Sequence, residues 1–252
     1  MSIEGRNFPQ FYITPAANCP YLDGKFERKI FTHLIGDKAP DLNHALTNGG
    51  FRRSQNIAYR QACEKCSACI STRVVVDEFK PTKSQKRAWR AYRHLHTQIC
   101  DASPSQEQYS LFRNYIDARH ADGGMVDMSI LDYAAMVEES FVDTRVIEYR
   151  LPGDFTSPPQ VVPKGELAAV AITDWLNDGL SMIYSFYDPE IAASGLGTYL
   201  ILDHIEQAKK AGLPYVYLGF WVKGSPKMDY KIRFQPQEHI IGGTWSRVTP
   251  DT

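Results

Sequence analysis

Two β-rich runs of similar length flank the turn signal Asn177-Asp178-Gly179, and this arrangement constrains the fold more than any other part of the sequence. An Asp-Gly step between two such runs predicts a tight hairpin of residues 165–176 and 179–188. The glycine-containing segment Ser194-Gly-Leu-Gly-Thr198 then opens a helix with one apolar face, and residues 215–222 form the next strand. The succession predicts an α/β protein (α+β mixed) with a mixed sheet.

Strand, Gly-x-Gly turn, helix and strand in this order resemble the core of GNAT-type N-acyltransferases. In that fold the glycines allow backbone N–H groups at a helix N-terminus to approach an anionic cofactor. The GNAT pattern carries Gln or Arg three residues before the first glycine, and here that position is Ala192. This departure argues against coenzyme A as the donor. A plain strand-to-helix turn explains a lone Gly-x-Gly equally well.

Positive charge is concentrated between residues 51 and 93. This segment holds eleven Lys or Arg and three Asp or Glu, a net charge of +8, although the whole chain of 252 residues has a net charge of −1. Residues 84–97 predict a helix capped by Ser84, with an apolar stripe on one face. Cations spaced by three or four positions share another face: Lys83, Lys86, Arg87, Arg90 and Arg93. Because no acidic residue occurs from 80 to 99, this face favours an anionic partner over an ordinary solvated surface, which mixes signs.

Three thiols, Cys63, Cys66 and Cys69, precede the basic helix, and Cys19 lies near the start of the chain. Cys-x-x-Cys spacing is typical of metal loops, so the four thiols suit a structural zinc ion or an iron–sulfur cluster. Buried free thiols that pack as small hydrophobic groups are the competing interpretation. Five cysteines, with three packed together, predict a reduced protein rather than a disulfide scaffold.

The first residues have neither a basic region nor an apolar region of the signal-peptide kind. No apolar run approaches the roughly 18 residues that a membrane-spanning helix needs. We therefore expect a cytoplasmic protein without a membrane partner.

Motifs along nearly the whole chain resemble the aminoacyl-tRNA–protein transferases. Those of the N-terminal part are Asn18-Cys-Pro-Tyr-Leu22, Tyr59-Arg-x-x-Cys-x-x-Cys-x-x-Cys-x-x-x-Arg73 and Phe79-x-Pro-x-x-Ser-Gln-x-Arg87. Those of the C-terminal part are Phe186-Tyr-Asp-Pro189, Gly197-Thr-Tyr-x-Ile-Leu202, Tyr215-Val-Tyr-Leu-Gly-Phe-Trp221 and Lys227-Met-x-Tyr-Lys231. The compact length resembles the bacterial branch of the family. The eukaryotic arginyl-tRNA–protein transferases are relatives that tend to have an early Cys-x-x-Cys, where this sequence has Leu22 as the second residue of the pair.

The resemblance implies an N-terminal domain with the Cys cluster, residues 1–80, and a GNAT-like catalytic domain, residues 81–252, that includes the basic helix. It implies that leucine moves from leucyl-tRNA to the α-amino group of proteins that begin with Asp or Glu, which marks them for degradation. An arginyl-tRNA donor is the alternative within the family. The reaction is aminolysis of an ester that is already activated, so its chemistry requires no cofactor.

Three residues are candidates for the chemistry. Asp188 ends the second strand of the hairpin, just before the Gly-x-Gly turn and at the place where acyl groups sit in GNAT-type folds, and we expect it to accept a proton or orient the amine. Its competing interpretation is a turn residue before Pro189. Tyr187 and Tyr217 are expected to donate hydrogen bonds to the ester.

The acidic side chain of the acceptor needs a cation, and arginine grips a carboxylate with two hydrogen bonds. Arg73 is the first candidate, with Tyr59 and Arg87 as helpers, although Arg73 also fits an exposed strand position. The basic helix, through Lys83, Lys86, Arg90 and Arg93, is expected to contact tRNA phosphates. Lys227 and Lys231, four residues apart, predict a second tRNA patch on one helical face.

Two other classes of protein fit parts of this pattern. A coenzyme A-dependent N-acetyltransferase fits the Gly-x-Gly segment, but Ala192 and the basic helix count against it. A nucleic-acid-binding module without catalysis fits the cations and thiols. The second half of the chain argues against this class, because it is not basic and contains clusters of aromatic residues around 184–187 and 215–221.

Overall fold

The computed structural model describes residues 9–121, 123–153, 165–191 and 195–248. Ala192 and Ser194, which bear on the Gly-x-Gly prediction, lie outside these residues. The strands are β1 (Tyr12–Ile13), β2 (Ala17–Asn18), β3 (Phe26–Glu27), β4 (Lys29–His33), β5 (Arg52–Ser54), β6 (Ile57–Gln61), β7 (Ile70–Val75), β8 (His96–Asp101), β9 (Thr144–Arg150), β10 (Leu167–Leu176), β11 (Gly179–Tyr187), β12 (Tyr215–Trp221), β13 (Gln237–Ile241) and β14 (Thr244–Val248). The helices are α1 (Ala39–Asn48), α2 (Lys83–Tyr92), α3 (Gln106–Arg119), α4 (Ile130–Glu138) and α5 (Leu196–Lys210), with a 3-10 helix over Asp229–Arg233.

The described residues form one large sheet of eight strands in the order β14-β13-β7-β12-β11-β10-β9-β8. β11 and β12 run parallel, whereas the other neighbours run antiparallel. A smaller sheet has the order β1-β4-β6-β5, and β2 pairs with β3. The predicted mixed α/β class with a mixed sheet is confirmed. None of the described helices is long and apolar enough to cross a membrane.

The predicted hairpin forms β10 and β11, with Leu176 opposite Gly179 across the turn. Almost every residue of β10 is buried, because helices cover both faces of the sheet. Alternate positions separate the two cores: Ala169 and Ala171 pack with residues of α2 and α5, whereas Val170 and Ile172 pack with residues of α3 and α4. This strand therefore anchors both layers of helices.

The basic helix differs from its prediction at both ends. Thr82, not Ser84, caps α2: its side chain accepts from the Gln85 N–H, and the Gln85 side chain accepts from the Thr82 N–H. α2 ends at Tyr92, and residues 96–101 form β8, which pairs antiparallel with β9. The prediction of helix to residue 97 was wrong because this pairing with a distant strand is invisible in local periodicity.

The hairpin of β13 and β14 was not predicted from the sequence. Gly242 and Gly243 make its two-residue turn with φ values of 59° and 85°. Both residues of a type I′ turn need positive φ, which Gly adopts without steric cost. The Gly-Gly step was therefore the available signal.

Strand and ion pairing join the N-terminal residues to the rest of the molecule. β7 precedes residue 81 and nevertheless lies between β12 and β13 in the large sheet. Arg53 of β5 forms a buried ion pair with Asp174 of β10, with Nε–Oδ2 at 2.6 Å and Nη2–Oδ1 at 2.7 Å. The division into residues 1–80 and 81–252 remains a prediction.

Candidate active site

The parallel strands β11 and β12 pair only over their first three residues, Gly179–Ser181 with Tyr215–Tyr217. Beyond that point, within the described residues, β11 has no register partner on β12. A bulge in β11 lies at Ile183, and Gly219 of β12 has a φ of 75°, which a regular strand does not tolerate. The strands therefore separate. We call the first three pairs the paired end, and the region between residues 182–187 and 218–221 the open end.

Arg52 of β5 lies at the open end. Its Nη2 donates to the carbonyl oxygens of Met182 at 3.3 Å and Ile183 at 3.0 Å. A side chain on Gly219 would meet this guanidinium, because an added Cβ would lie 2.0 Å from Nη1. The missing side chain thus leaves room for a cation where the strands part.

Four tyrosines surround the same region: Tyr115, Tyr184, Tyr187 and Tyr230. The rings of Tyr115 and Tyr187 are 4.9 Å apart between centroids. Burial raises the pKa of Tyr184 to about 12 and also raises the pKa of Tyr115, and desolvation raises the pKa of Tyr230 although 39% of that residue is exposed. Those three phenols stay protonated at neutral pH, so they can donate hydrogen bonds but are poor proton acceptors.

His120 lies beside this tyrosine cluster. Its Nε2 is 3.3 Å from the Tyr115 hydroxyl oxygen. Burial, with the charges of Lys227 and Arg119, lowers the pKa of His120, so the imidazole is neutral at pH 7. A neutral imidazole can accept a proton, which the protonated phenols cannot.

The N-terminus of α5 faces α2 across a cleft of about 230 Å³. Gly195 precedes α5 with a φ of 91°, and an added Cβ there would lie 3.2 Å from the Ala88 Cβ. Arg87 and Arg233 line the cleft, as does Tyr230. Free N–H groups in the first turn of a helix and two guanidinium groups together favour an anion.

The cations of α2 lie on the protein surface. Lys83, Lys86, Arg87, Arg90 and Arg93 are all exposed. Among the described residues none of the five forms a salt bridge. The apolar face of α2 packs on α5, with the rings of Trp89 and Tyr199 at 5.3 Å. This arrangement leaves the charged face open to a polyanion, and the predicted contact with tRNA phosphates remains a prediction.

Arg73 is buried at the paired end and has partners within the protein. Its Nε and Nη2 donate to Glu238 at 2.9 and 2.8 Å, and its Nη1 reaches Asn48 and Tyr217. The guanidinium carbon lies 3.5 Å from the ring centroid of Tyr215. Because Glu238 already holds the two-pronged face, Arg73 has none left for an acceptor carboxylate. The role expected for Arg73 in binding the acceptor remains a prediction, and these partners count against it.

Tyr217 belongs to the same network. Its hydroxyl oxygen accepts from Arg73 Nη1 at 3.0 Å and lies 2.9 Å from Asp178 Oδ2. Only 3% of the residue is exposed, and burial together with Asp178 raises its pKa. The expected hydrogen bond from Tyr217 to an ester also remains a prediction, and it is disfavoured because this hydroxyl already has partners and lies at the paired end.

Lys231 is buried rather than exposed. Its Nζ donates to the Phe220 carbonyl oxygen at 2.8 Å, and burial lowers its pKa well below the usual value. The predicted surface patch of Lys227 and Lys231 on one helical face is therefore corrected. Lys231 lies within the 3-10 helix, whereas Lys227 precedes it and is exposed.

The other predicted residues lie nearer the open end. Tyr187 touches the first turn of α5, since a Cβ on Gly197 would lie 3.5 Å from its ring. Asp188 directly follows β11, and its Oδ1 accepts from the Glu190 N–H at 2.7 Å, the geometry of a turn residue. Tyr59 is the register partner of Arg52 across β5 and β6. The roles expected for all three remain predictions.

The cysteines Cys19, Cys63, Cys66 and Cys69 line a single cavity of about 450 Å³. Burial and the three other thiols raise the pKa of Cys69 to about 12. Four thiols around one cavity form a suitable donor set for zinc or an iron–sulfur cluster, although no group of three or more His, Cys, Asp or Glu in the described residues stands at metal-binding distances. Cys19, Cys63, Cys66 and Cys69 are free thiols.

A mixed sheet with two diverging parallel strands, a helix N-terminus beside them and an exposed cationic helix define a protein suited to transfer between an anionic donor and a second substrate. The family models described as arginine-tRNA-protein transferase, N terminus and C terminus, match residues 17–87 and 107–241. The chain belongs to this family of aminoacyl-tRNA–protein transferases, and the resemblance read from its motifs is confirmed.

The curated relatives extend the match over the full length. A protein of Sinorhizobium medicae is 57% identical over 253 residues, covering 100% of this chain and 96% of the relative, and is named aspartate/glutamate leucyltransferase. A protein of Brucella ovis with the same name is 56% identical over 249 residues, covering 98% of this chain and 99% of the relative. Among solved structures, FemX aligns with a TM-score of 0.47 at 12% identity, covering 80% of this chain and 65% of FemX. A likeness this distant carries no argument about the site.

Sequence reasoning missed Arg52, Tyr230 and His120. Arg52 stood next to Arg53 in the basic segment, and nothing local distinguishes the arginine that is paired from the one that is not. Tyr230 was visible within the motif Lys227-Met-x-Tyr-Lys231, which drew attention only to its lysines. His120 has no neighbouring ligand or motif that could have identified it.

Proposed function

We propose that this enzyme transfers leucine from leucyl-tRNA to the α-amino group of proteins that begin with Asp or Glu, and so marks them for degradation. The proposal depends above all on the full-length match to relatives of that name at 57% and 56% identity. An exposed cationic helix next to a cleft with Arg87 and Arg233 supports an RNA donor. Because its donor is an aminoacyl-tRNA, we also place the enzyme in the cytoplasm.

We further propose that the catalytic part has the GNAT type of fold. Supporting this are the separation of β11 from β12 and the glycine-led N-terminus of α5 beside them. In such an arrangement the donor's terminal phosphate lies at the cleft formed by α5 and Arg87. The aminoacyl ester then extends into the open end.

The reaction joins the acceptor nitrogen to the leucyl carbonyl carbon and breaks that carbon's ester bond to the tRNA 3′-terminal ribose. A protonated phenol of the tyrosine cluster donates to the carbonyl oxygen as negative charge develops there. The amine loses a proton to Asp188 or to His120, and the ribose oxygen gains one as it leaves. Single-turnover rates of Asp188→Asn and His120→Asn enzymes decide between the two, since only loss of the true acceptor lowers the chemical step.

We propose that Cys19, Cys63, Cys66 and Cys69 hold a structural zinc ion or an iron–sulfur cluster, which would tie the N-terminal residues to the loop before β7. Metal analysis of protein purified without oxygen tests this. Stoichiometric zinc or iron that is lost on Cys66→Ser supports the proposal. Metal-free, folded and active protein would leave the thiols as packing groups.

A transfer assay tests the main proposal. Labelled leucyl-tRNA and labelled arginyl-tRNA are each offered with peptides that begin with Asp, Glu or Ala. We expect transfer of leucine to the Asp and Glu peptides and little to the Ala peptide. Transfer from arginyl-tRNA alone would place the chain with the arginine-transferring relatives, and equal transfer to all three peptides would contradict an acidic-acceptor site.

A further inference from the structure

Arg52 is held at the open end by two strands of different sheets. Its backbone lies in β5, opposite Tyr59 of β6, and its side chain crosses to the carbonyl oxygens of Met182 and Ile183 on β11. The Phe220 ring lies 5.8 Å from its guanidinium carbon and 6.1 Å from the Tyr59 ring. The guanidinium is therefore fixed against aromatic walls before any substrate arrives.

Most of its hydrogen-bonding capacity is unused. A guanidinium carries five N–H groups, and only Nη2 of Arg52 has acceptors among the described residues. Nε and both hydrogens of Nη1 have none there. No described carboxylate forms a salt bridge with Arg52.

Other arginines of the interior are neutralised. Arg53, the next residue, pairs with Asp174, Arg73 pairs with Glu238, and Arg150 pairs with Glu107 and Glu148. A half-buried cation without a counter-ion is costly, so it indicates an anion that is supplied by a ligand. The carbonyl contacts orient Arg52, but two neutral oxygens do not compensate its charge.

The location suits the acceptor rather than the tRNA phosphates. The phosphate-binding candidates Arg87 and Arg233 line the cleft at α5, and Arg52 does not line it. Arg52 instead acts electrostatically on Tyr230 together with Tyr187, so all three share the open end. A carboxylate bound to Arg52 would therefore lie in the same region as the tyrosines proposed to act on the ester.

We propose that Arg52 binds the side-chain carboxylate of the acceptor's N-terminal Asp or Glu through its uncompensated charge and a single hydrogen bond from its free Nη1 or Nε, with Tyr59 and Phe220 as the apolar walls of the binding site. This inference rests on the proposed function and names its specificity-determining residue. It assigns to Arg52 the part that the sequence had assigned to Arg73.

The test compares Arg52→Gln and Arg52→Lys enzymes with peptides that begin with Asp or with its uncharged isostere Asn. In Arg52→Gln we expect kcat/KM for the Asp peptide to fall at least about tenfold, mostly through KM, because a charge-assisted hydrogen bond is lost. The Asn peptide should change little, so the preference for Asp collapses. Arg52→Lys should keep part of that preference. Arg60→Gln, the same change on the neighbouring strand, is the control and should preserve it.

Other outcomes distinguish failure of the Arg52 proposal from failure of the proposed function. An equal fall for both peptides would show that Arg52 only holds the strands, and a raised KM for leucyl-tRNA would show that it binds phosphate; either result overturns the proposal. If Arg52→Gln does not fold, the Arg52→Lys enzyme decides, because it keeps the positive charge. An equal loss of kcat/KM for the Asp and Asn peptides would then reject Arg52 as the binding residue for the carboxylate. Failure of the unmodified enzyme to transfer leucine to any peptide would reject the proposed function itself.

Discussion

The two ends of the β11–β12 pair contrast in how their cations are satisfied. At the paired end Arg73 has Glu238, Asn48 and Tyr217 as partners, and every part of its guanidinium is engaged. At the open end Arg52 keeps three N–H groups without a partner in the described residues. The same residue type therefore stabilises the sheet at one end and is available to a ligand at the other. The surroundings of a cation, not its place in a motif, distinguish the two roles.

The largest expected effect is a loss of stability when the ion pair at the paired end is removed. Arg73→Ala leaves Glu238 and the nearby Asp178 without their cation, so we expect the free energy of unfolding to fall by about 3 kcal/mol or more. Denaturant unfolding measures it. Arg247→Ala is the matched control, because its ion pair with Glu78 is exposed and should be worth less than about 1 kcal/mol. Similar losses in the two variants would mean that Arg73 is not a structural residue.

Acid should also destabilise the large sheet next to the open end, where the His239 ring lies 5.1 Å from the Trp221 ring. His239 of β13 is buried, and its pKa is lowered to about 4 by burial. Between pH 6.5 and 4 the unfolded chain therefore binds a proton that the folded one does not, and stability is lost as pH falls through that window. On the order of 2 kcal/mol should disappear between pH 7 and pH 5. His239→Gln should flatten this slope, whereas exposed His94→Gln should not; unchanged slopes in both would contradict burial as the cause.

A substitution at the open end should lower the catalytic rate without lowering the stability of the fold. Tyr230→Phe removes one protonated phenol, and we expect kcat to fall roughly tenfold to a hundredfold if this group donates to the developing oxyanion. The melting temperature and the Kd for leucyl-tRNA should stay close to those of the unmodified enzyme. Tyr12→Phe, on the exposed edge of the small sheet, is the control. An undiminished kcat would move the donor role to Tyr184 or Tyr187.

The smallest expected effect concerns the cationic face of α2. Arg90→Gln with Arg93→Gln should weaken leucyl-tRNA binding about tenfold and reduce the slope of log affinity against log salt by between about 1 and 2. Lys209→Gln with Lys210→Gln, at the far end of α5, removes the same charge and should change neither. Equal slopes in the two double variants would make α2 an ordinary surface helix.

Local signals predicted those parts of the fold that local chemistry determines. The Asp-Gly turn predicted β10 and β11, and the glycine-led turn predicted α5. β8 was missed because only its pairing with β9 makes residues 96–101 a strand. The ion pair of Arg73 could not be predicted because Glu238 lies 165 positions away in the chain. Charge and motif could find an arginine-rich segment, but only the fold shows which arginine already has a carboxylate.

The most direct test of a reaction at the open end is a crystal structure with a non-reactive amide analogue of leucyl-adenosine. The account predicts that the leucyl carbonyl lies between β11 and β12 beside Tyr187 and Tyr230, with the adenosine towards the N-terminus of α5. An analogue bound in the cysteine-lined cavity, or over the paired end next to Arg73, would contradict it.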